Sequence, residues 1–151
     1  MIVAVGTDHA GFVLKPTILD AIRSAGHEPL DCGAFEIVPG DDYPDFAERV
    51  ARAVLDGRAE RGVLLCGSGV GASVAANKFV GIRSALCHDT FSAHQGVEDD
   101  EMNVITLGAR VIGPSLAAEL VATFLRAKFS GAERHRRRLD KIKAFESQTR
   151  R

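Results

Sequence analysis

Gly62-Val63-Leu64-Leu65-Cys66-Gly67-Ser68-Gly69-Val70-Gly71-Ala72-Ser73 is a short apolar run that breaks into glycines and then resumes as helix-forming sequence. It reads as a buried strand, a glycine turn and the start of a helix. Glycines at 67, 69 and 71 let backbone N–H groups converge on a bound anion. A cysteine just ahead of a helix is expected to have its thiolate favoured by the positive helix end. The segment also fits a plain strand-to-helix turn with a buried structural cysteine. Neither Gly-x-Gly-x-x-Gly nor the P-loop pattern is present, and Lys78 lies too far along to be a P-loop lysine.

Outward from this stretch, strands and helices alternate. Met1 to Thr7 reads as a strand ending in Asp8-His9. Gly11 to Ala25 reads as a helix with Leu14, Ile18, Leu19 and Ile22 at helical spacing, its first turn made irregular by Pro16. Glu28 to Asp31 is a second strand, residues 32–42 a loop, and Pro44 to Asp56 a helix stopped by Gly57. After the glycine turn the helix is expected over Val70 to Phe79 and a strand over Ile82 to Cys87. Asp89 to Glu98 reads as helical at first and then as loop. Val104 to Gly108 is the fifth strand. Pro114 to Phe129 is a helix burying Leu116, Leu120, Val121, Phe124 and Leu125, and a last helix covers Glu133 to Gln148.

This alternation predicts an α/β fold: one doubly wound, Rossmann-like domain over residues 1–151, with a five-stranded parallel sheet and helices on both faces. Ligands of such sheets bind at the carboxyl ends of the strands. Asp8-His9, Cys66-Gly67-Ser68, His88-Asp89 and Gly108-Ala109-Arg110 all fall at those ends.

Composition narrows the classes. The chain is 46% hydrophobic, which excludes a disordered chain. A net charge of −1 gives no overall attraction to nucleic acid or membrane. No apolar run approaches a membrane span, and no secretory signal is visible at the N-terminus. Cys32, Cys66 and Cys87 are odd in number and lack metal-ligand spacing, so the expectation is reduced thiols, a cytoplasmic protein and no metal.

Several residues offer chemistry, each with a plainer alternative. Asp8 and His9 fit hydroxyl binding or proton transfer, or an N-cap beside a surface histidine. Tyr43 fits a pocket wall or a staple at a helix start. Arg110 fits a phosphate contact or a surface ion pair. Arg134 and Arg138, four apart on one helix face, fit a grip on one anion or a solvated basic face. Leu139, Ile142 and Phe145 show that the last helix packs on something. If that is a second subunit, its arginines would complete that subunit's site.

Together these pieces resemble the ribose-5-phosphate isomerase type B family, which includes the galactose-6-phosphate isomerase subunits. The matching runs are Asp8-His9-Ala10-Gly11-Phe12-x-Leu14-Lys15, Asp42-Tyr43-Pro44, Cys66 to Gly71, Ala75-Ala76-Asn77-Lys78 with Gly81-Ile82-Arg83, Asn103-Val104 with Gly108-x-Arg110, and Arg134-His135-x-x-Arg138. They span nearly the whole chain. The resemblance implies a cofactor-free aldose–ketose isomerase of phosphorylated sugars working through a cis-enediolate. It implies Cys66 as the proton-abstracting base, since the glutamate some members use just past the turn is Ala72 here. It implies Ser68 as helper to the base or holder of a hydroxyl. The amides of Gly67, Gly69, Val70 and Gly71 match an anion hole, worth about 2.7–4 kcal/mol per good donor in comparable sites. Asp8, His9 and Tyr43 match substrate contacts, and Arg110, Arg134 and Arg138 phosphate contacts. The last two are offered by the neighbouring subunit of a homodimer, or of a dimer of dimers.

One departure stands out. Asp99 falls where the family's ring-opening histidine is expected, and Asp100 follows in a substrate-contact position. A carboxylate accepts a proton readily and donates one poorly at neutral pH. His94 or His9 would then substitute, or the substrate is a short sugar phosphate that forms no ring. Ribose 5-phosphate and ribulose 5-phosphate are the default pair. The alternatives are a tetrose or hexose phosphate, or a sugar-phosphate binding protein without turnover.

Overall fold

The structure is a computed structural model and describes residues 1–148; the last three residues of the expected 1–151 domain lie outside the described residues. Five strands form one parallel sheet: β1 (Ile2–Thr7), β2 (Glu28–Asp31), β3 (Arg61–Cys66), β4 (Ser84–Leu86) and β5 (Val104–Gly108), in the order β2-β1-β3-β5-β4. The helices are α1 (Lys15–Ser24), α2 (Tyr43–Leu55), α3 (Val70–Ala76), α4 (Thr90–Asp100), α5 (Pro114–Arg126) and α6 (Glu133–Gln148). The expected doubly wound sheet is therefore present. The expected irregular start of the first helix is a 3-10 turn over Phe12–Leu14, with Pro16 in the first turn of α1.

Alternation along the strands sorts the core into two layers. Val3, Val5, Val63, Leu65, Ile105 and Leu107 face the layer beneath α1, α4 and α5. Ala4, Leu64, Cys66 and Val104 face the opposite layer with α2 and α3. α2 lies close to the sheet because Val50 rests on two glycines: a methyl group on Gly62 or Gly6 would stand 2.5 Å or 2.7 Å from Val50 side-chain carbons. That approach brings the start of α2, with Tyr43, towards the carboxyl edge.

Four expected boundaries need correction. α3 stops at Ala76 rather than 79, because the Asn77 amide donates to Ser73 O (3.0 Å) and Ser84 O (2.8 Å) and ties the helix end to β4. β4 covers 84–86 rather than 82–87; Arg83 ahead of it bonds Asn103 Oδ1 and Glu101 O instead of extending the strand. α5 ends at Arg126 rather than 129, where Ala127 turns extended. α4 does not give way to loop but runs on through Asp99 and Asp100. Gln95 Nε2 donates to Asp99 Oδ2 (2.7 Å), His94 pairs with Glu98 (3.2 Å), and the Glu98 carbonyl accepts from Ser130 N. These bonds hold an acidic final turn in which Val97, Asp99 and Asp100 are weak helix formers.

α6 packs on its own chain through His135 and Leu139, which are buried near α4, while Ile142 and Phe145 are exposed. At the amino edge Arg61, at the start of β3, donates to the Phe124 carbonyl and to Ala127 O (2.7 Å), and its guanidinium stacks on the Phe124 ring. It neutralises the carbonyl end of α5. Replacing it, Arg61→Met, is expected to lower stability by about 2 kcal/mol. A drop in the urea midpoint at unchanged slope checks this; an unchanged midpoint contradicts it.

Candidate active site

β1 and β3 are neighbours, so Thr7 and Leu65 lie in register and the residues just beyond them meet. The Cys66 thiol donates to Asp8 Oδ2 at 3.2 Å. Asp8 Oδ1 accepts from Gly11 N at 2.8 Å, so one carboxylate both caps the turn after β1 and holds the cysteine. Asp8 is only 4% exposed and Cys66 8%. Burial, then the Asp8 bond and charge, push the Cys66 thiol above its ordinary value, while N–H groups of Gly69 and Gly67 aimed at the sulfur pull it partly down. The expectation of a favoured thiolate is corrected here: burial and a carboxylate neighbour outweigh the backbone amides.

The glycine turn wraps around the end of β5. Gly69 has φ +83°, and a methyl there would strike Leu86 and the Leu107 backbone. Cys66 O and Gly67 O accept from Ala109 N (2.9 Å) and Arg110 N (3.0 Å). Exposed Arg110 folds back over Gly67, where an added methyl would touch its Cδ and Nε at 3.5 Å. Ser68 is exposed, and its hydroxyl accepts from Val70 N at 3.3 Å. Tyr43 stands over Gly71, with its ring 2.6 Å from where a methyl would sit. Asp8, Cys66, Gly67, Ser68, Gly69, Val70, Gly71, Tyr43 and Arg110 thus gather at one edge.

His9 joins them through a residue the sequence did not single out. Asp41 Oδ1 accepts from His9 N (3.0 Å) and meets His9 Nδ1 at 2.5 Å. His88, named only as a strand-end residue, accepts from Gly108 N through Nε2 (3.0 Å) and steadies the strand end beside Ser68.

Asp99, Asp100, Arg134 and Arg138 do not join them. α4 descends from the carboxyl edge, so its last turn lies at the amino edge. There Asp99 Oδ1 sits 3.4 Å from Nδ1 of His135 on α6. His135, named in the sequence only as part of a matching run, is 2% exposed and shares Nδ1 with Ser130 Oγ at 2.7 Å. Arg134 and Arg138 are exposed on the same helix with no ion pair among the described residues. Eleven residues of α4 span about 16 Å, so the two groups of residues stand at opposite edges of the chain.

No group of three or more His, Cys, Asp or Glu side chains among the described residues is placed to hold a metal ion. A groove of about 610 Å³ runs between α1 and α5 over Ala21, Ala25, Ala118 and Ala122, away from this chemistry.

Comparison with known proteins places the chain in a family. The ribose/galactose isomerase family profile matches residues 3–142. D-erythrulose-4-phosphate isomerase of Pectobacterium atrosepticum is 44% identical over 129 residues, 85% of each chain. The type B ribose 5-phosphate isomerase of Trypanosoma brucei superposes with a TM-score of 0.91 at 46% identity, covering 95% of this chain and 97% of that one. Ribose-5-phosphate isomerase B of Mycoplasma genitalium, solved with bound ribulose-5-phosphate, gives 0.90 at 36% identity, covering 97% and 96%. With the fold and the matched length in agreement, the chain belongs to the ribose/galactose isomerase family.

Proposed function

We propose that this chain is a sugar-phosphate isomerase that interconverts ribose 5-phosphate and ribulose 5-phosphate through a cis-enediolate. The observation that carries the reading is the buried Cys66 thiol on Asp8, at the mouth of a glycine turn. A thiol held above its ordinary value is a sparse but strong base once deprotonated. Asp8 Oδ2 is the acceptor nearest its proton. The thiolate removes the C2 proton of the open aldose as charge builds on O1, and the turn's N–H groups face that charge. A proton then passes from O2 to O1, with the Ser68 hydroxyl at hand. Cys66 returns its proton to C1, which leaves the ketose.

Arg110 anchors the phosphate from the same chain. Arg134 and Arg138, at the far edge, serve a second copy, so the reading includes a homodimer whose sites are shared. Three free cysteines and the lack of a membrane-length apolar helix among the described residues support a cytoplasmic setting.

A second reading has its own support. Asp99 takes a hydrogen bond from Gln95 and stands beside His135, an arrangement that suits an acceptor better than a ring-opening acid. A tetrose 4-phosphate forms no furanose ring, and one relative carries a tetrulose phosphate name. Rates on acyclic and ring-forming aldose phosphates separate the two readings.

In deuterated water the protein is expected to exchange the C2 proton of its aldose phosphate, and Cys66→Ala to abolish exchange while largely keeping binding. Exchange that survives the substitution excludes Cys66 as base; wild-type protein inert on every pentose and tetrose phosphate sinks the isomerase reading. Cys66 acts as thiolate, so activity is lost as pH falls. Its alkylation by iodoacetamide, followed by peptide mass, should show a midpoint above the ordinary thiol value of 9.0. Peptide mapping separates it from Cys87, which burial pushes up to about 11. Asp8→Asn removes the neighbouring charge and should move the Cys66 midpoint down; a midpoint that stays put contradicts the assigned cause.

A further inference from the structure

Asp99 leaves the ring-opening step without an evident acid, and the carboxyl edge offers one imidazole built for proton transfer. Asp41 Oδ1 takes both the main-chain N–H and Nδ1 of His9, at 3.0 Å and 2.5 Å. A carboxylate oxygen only accepts, so Nδ1 carries the hydrogen, and in the neutral ring Nε2 is the nitrogen with the free lone pair. Two bonds from one residue to one oxygen also fix the ring's orientation. The other oxygen, Asp41 Oδ2, is buried with no hydrogen-bond partner among the described residues. An unpaired buried carboxylate oxygen costs stability, so holding His9 is a better account of Asp41 than fold maintenance.

The other histidines are committed elsewhere. His88 uses Nε2 on Gly108 N, and His94 faces Glu98 along its own helix. His135 is buried beside Asp99 at the amino edge, and His27 follows α1 at that same edge. His9 immediately follows Asp8, the residue that holds the Cys66 thiol.

We propose that His9 is the catalytic residue that opens the sugar ring and that Asp41 is its positioning residue. This rests on the reading that the chain isomerises a ring-forming sugar phosphate. His9 Nε2 takes the proton of the anomeric hydroxyl, the C1–O1 carbonyl forms, and the bond from C1 to the ring oxygen breaks. The imidazolium gives the same proton to the ring oxygen, which becomes the C4 hydroxyl. One proton moves, charge is conserved and no co-reactant is needed.

The test uses the fact that ribose 5-phosphate closes a ring and ribulose 5-phosphate does not. Asp41→Asn is measured in two assays: conversion of ribose 5-phosphate, and solvent exchange at C1 of ribulose 5-phosphate, which needs Cys66 but no ring opening. Conversion is expected to fall about 100-fold, and by at least about tenfold more than exchange. Asp41→Glu, which keeps the carboxylate, should recover part of the loss. His9→Gln, a change at a partly exposed residue, should show the same split and stands in if Asp41→Asn does not fold. Equal losses in the two assays, or no loss, overturn the proposal. Wild-type protein that exchanges ribulose 5-phosphate but does not convert ribose 5-phosphate also overturns it. Wild-type protein inert in both assays instead overturns the proposed function.

Discussion

Every strand of the sheet runs the same way, so every strand ends at one edge and every crossover helix returns to the other. That constraint brings Cys66 and Arg110 to the Asp8-His9 pair, although the three lie far apart in sequence. It equally separates Asp99, Arg134 and Arg138 from them, because the last turn of α4 and the start of α6 belong to the amino edge. A phosphate held by Arg110 and by the α6 arginines at once therefore requires a second chain.

At the carboxyl edge, close backbone approach does the positioning. Gly62 and Gly6 let α2 settle on the sheet, Gly69 lets the turn reverse over β5, and Gly71 admits the Tyr43 ring. Burial has a second effect. It raises the Cys66 thiol and keeps Asp8 dry beside it, so the same packing that forms the core also sets the basicity of the Cys66 sulfur.

Much of this was legible in the chain. β2 and β5 stand where they are expected, β5 as an apolar run, and α6 covers the expected span. The glycine turn announced itself by spacing. What escaped depends on tertiary contacts. The acidic end of α4 reads as loop, yet Gln95 and Ser130 hold it helical. Asp41 is one of two adjacent aspartates before Tyr43, and only the folded loop shows which one meets His9. The direction of the Cys66 shift was misread because no local pattern shows Asp8 arriving at the sulfur from another strand.

Two half-sites on opposite edges of one chain make a demanding claim, and subunit complementation addresses it most directly. Protein carrying Cys66→Ala and protein carrying Arg134→Ala with Arg138→Ala are each purified, assayed alone, then mixed, dissociated and reassembled. Each alone should be nearly inactive on ribose 5-phosphate, and the mixture should regain activity, because a mixed dimer holds one intact site. A mixture that forms mixed dimers yet stays as inactive as its components would show that Cys66 and the α6 arginines do not act across the subunit boundary.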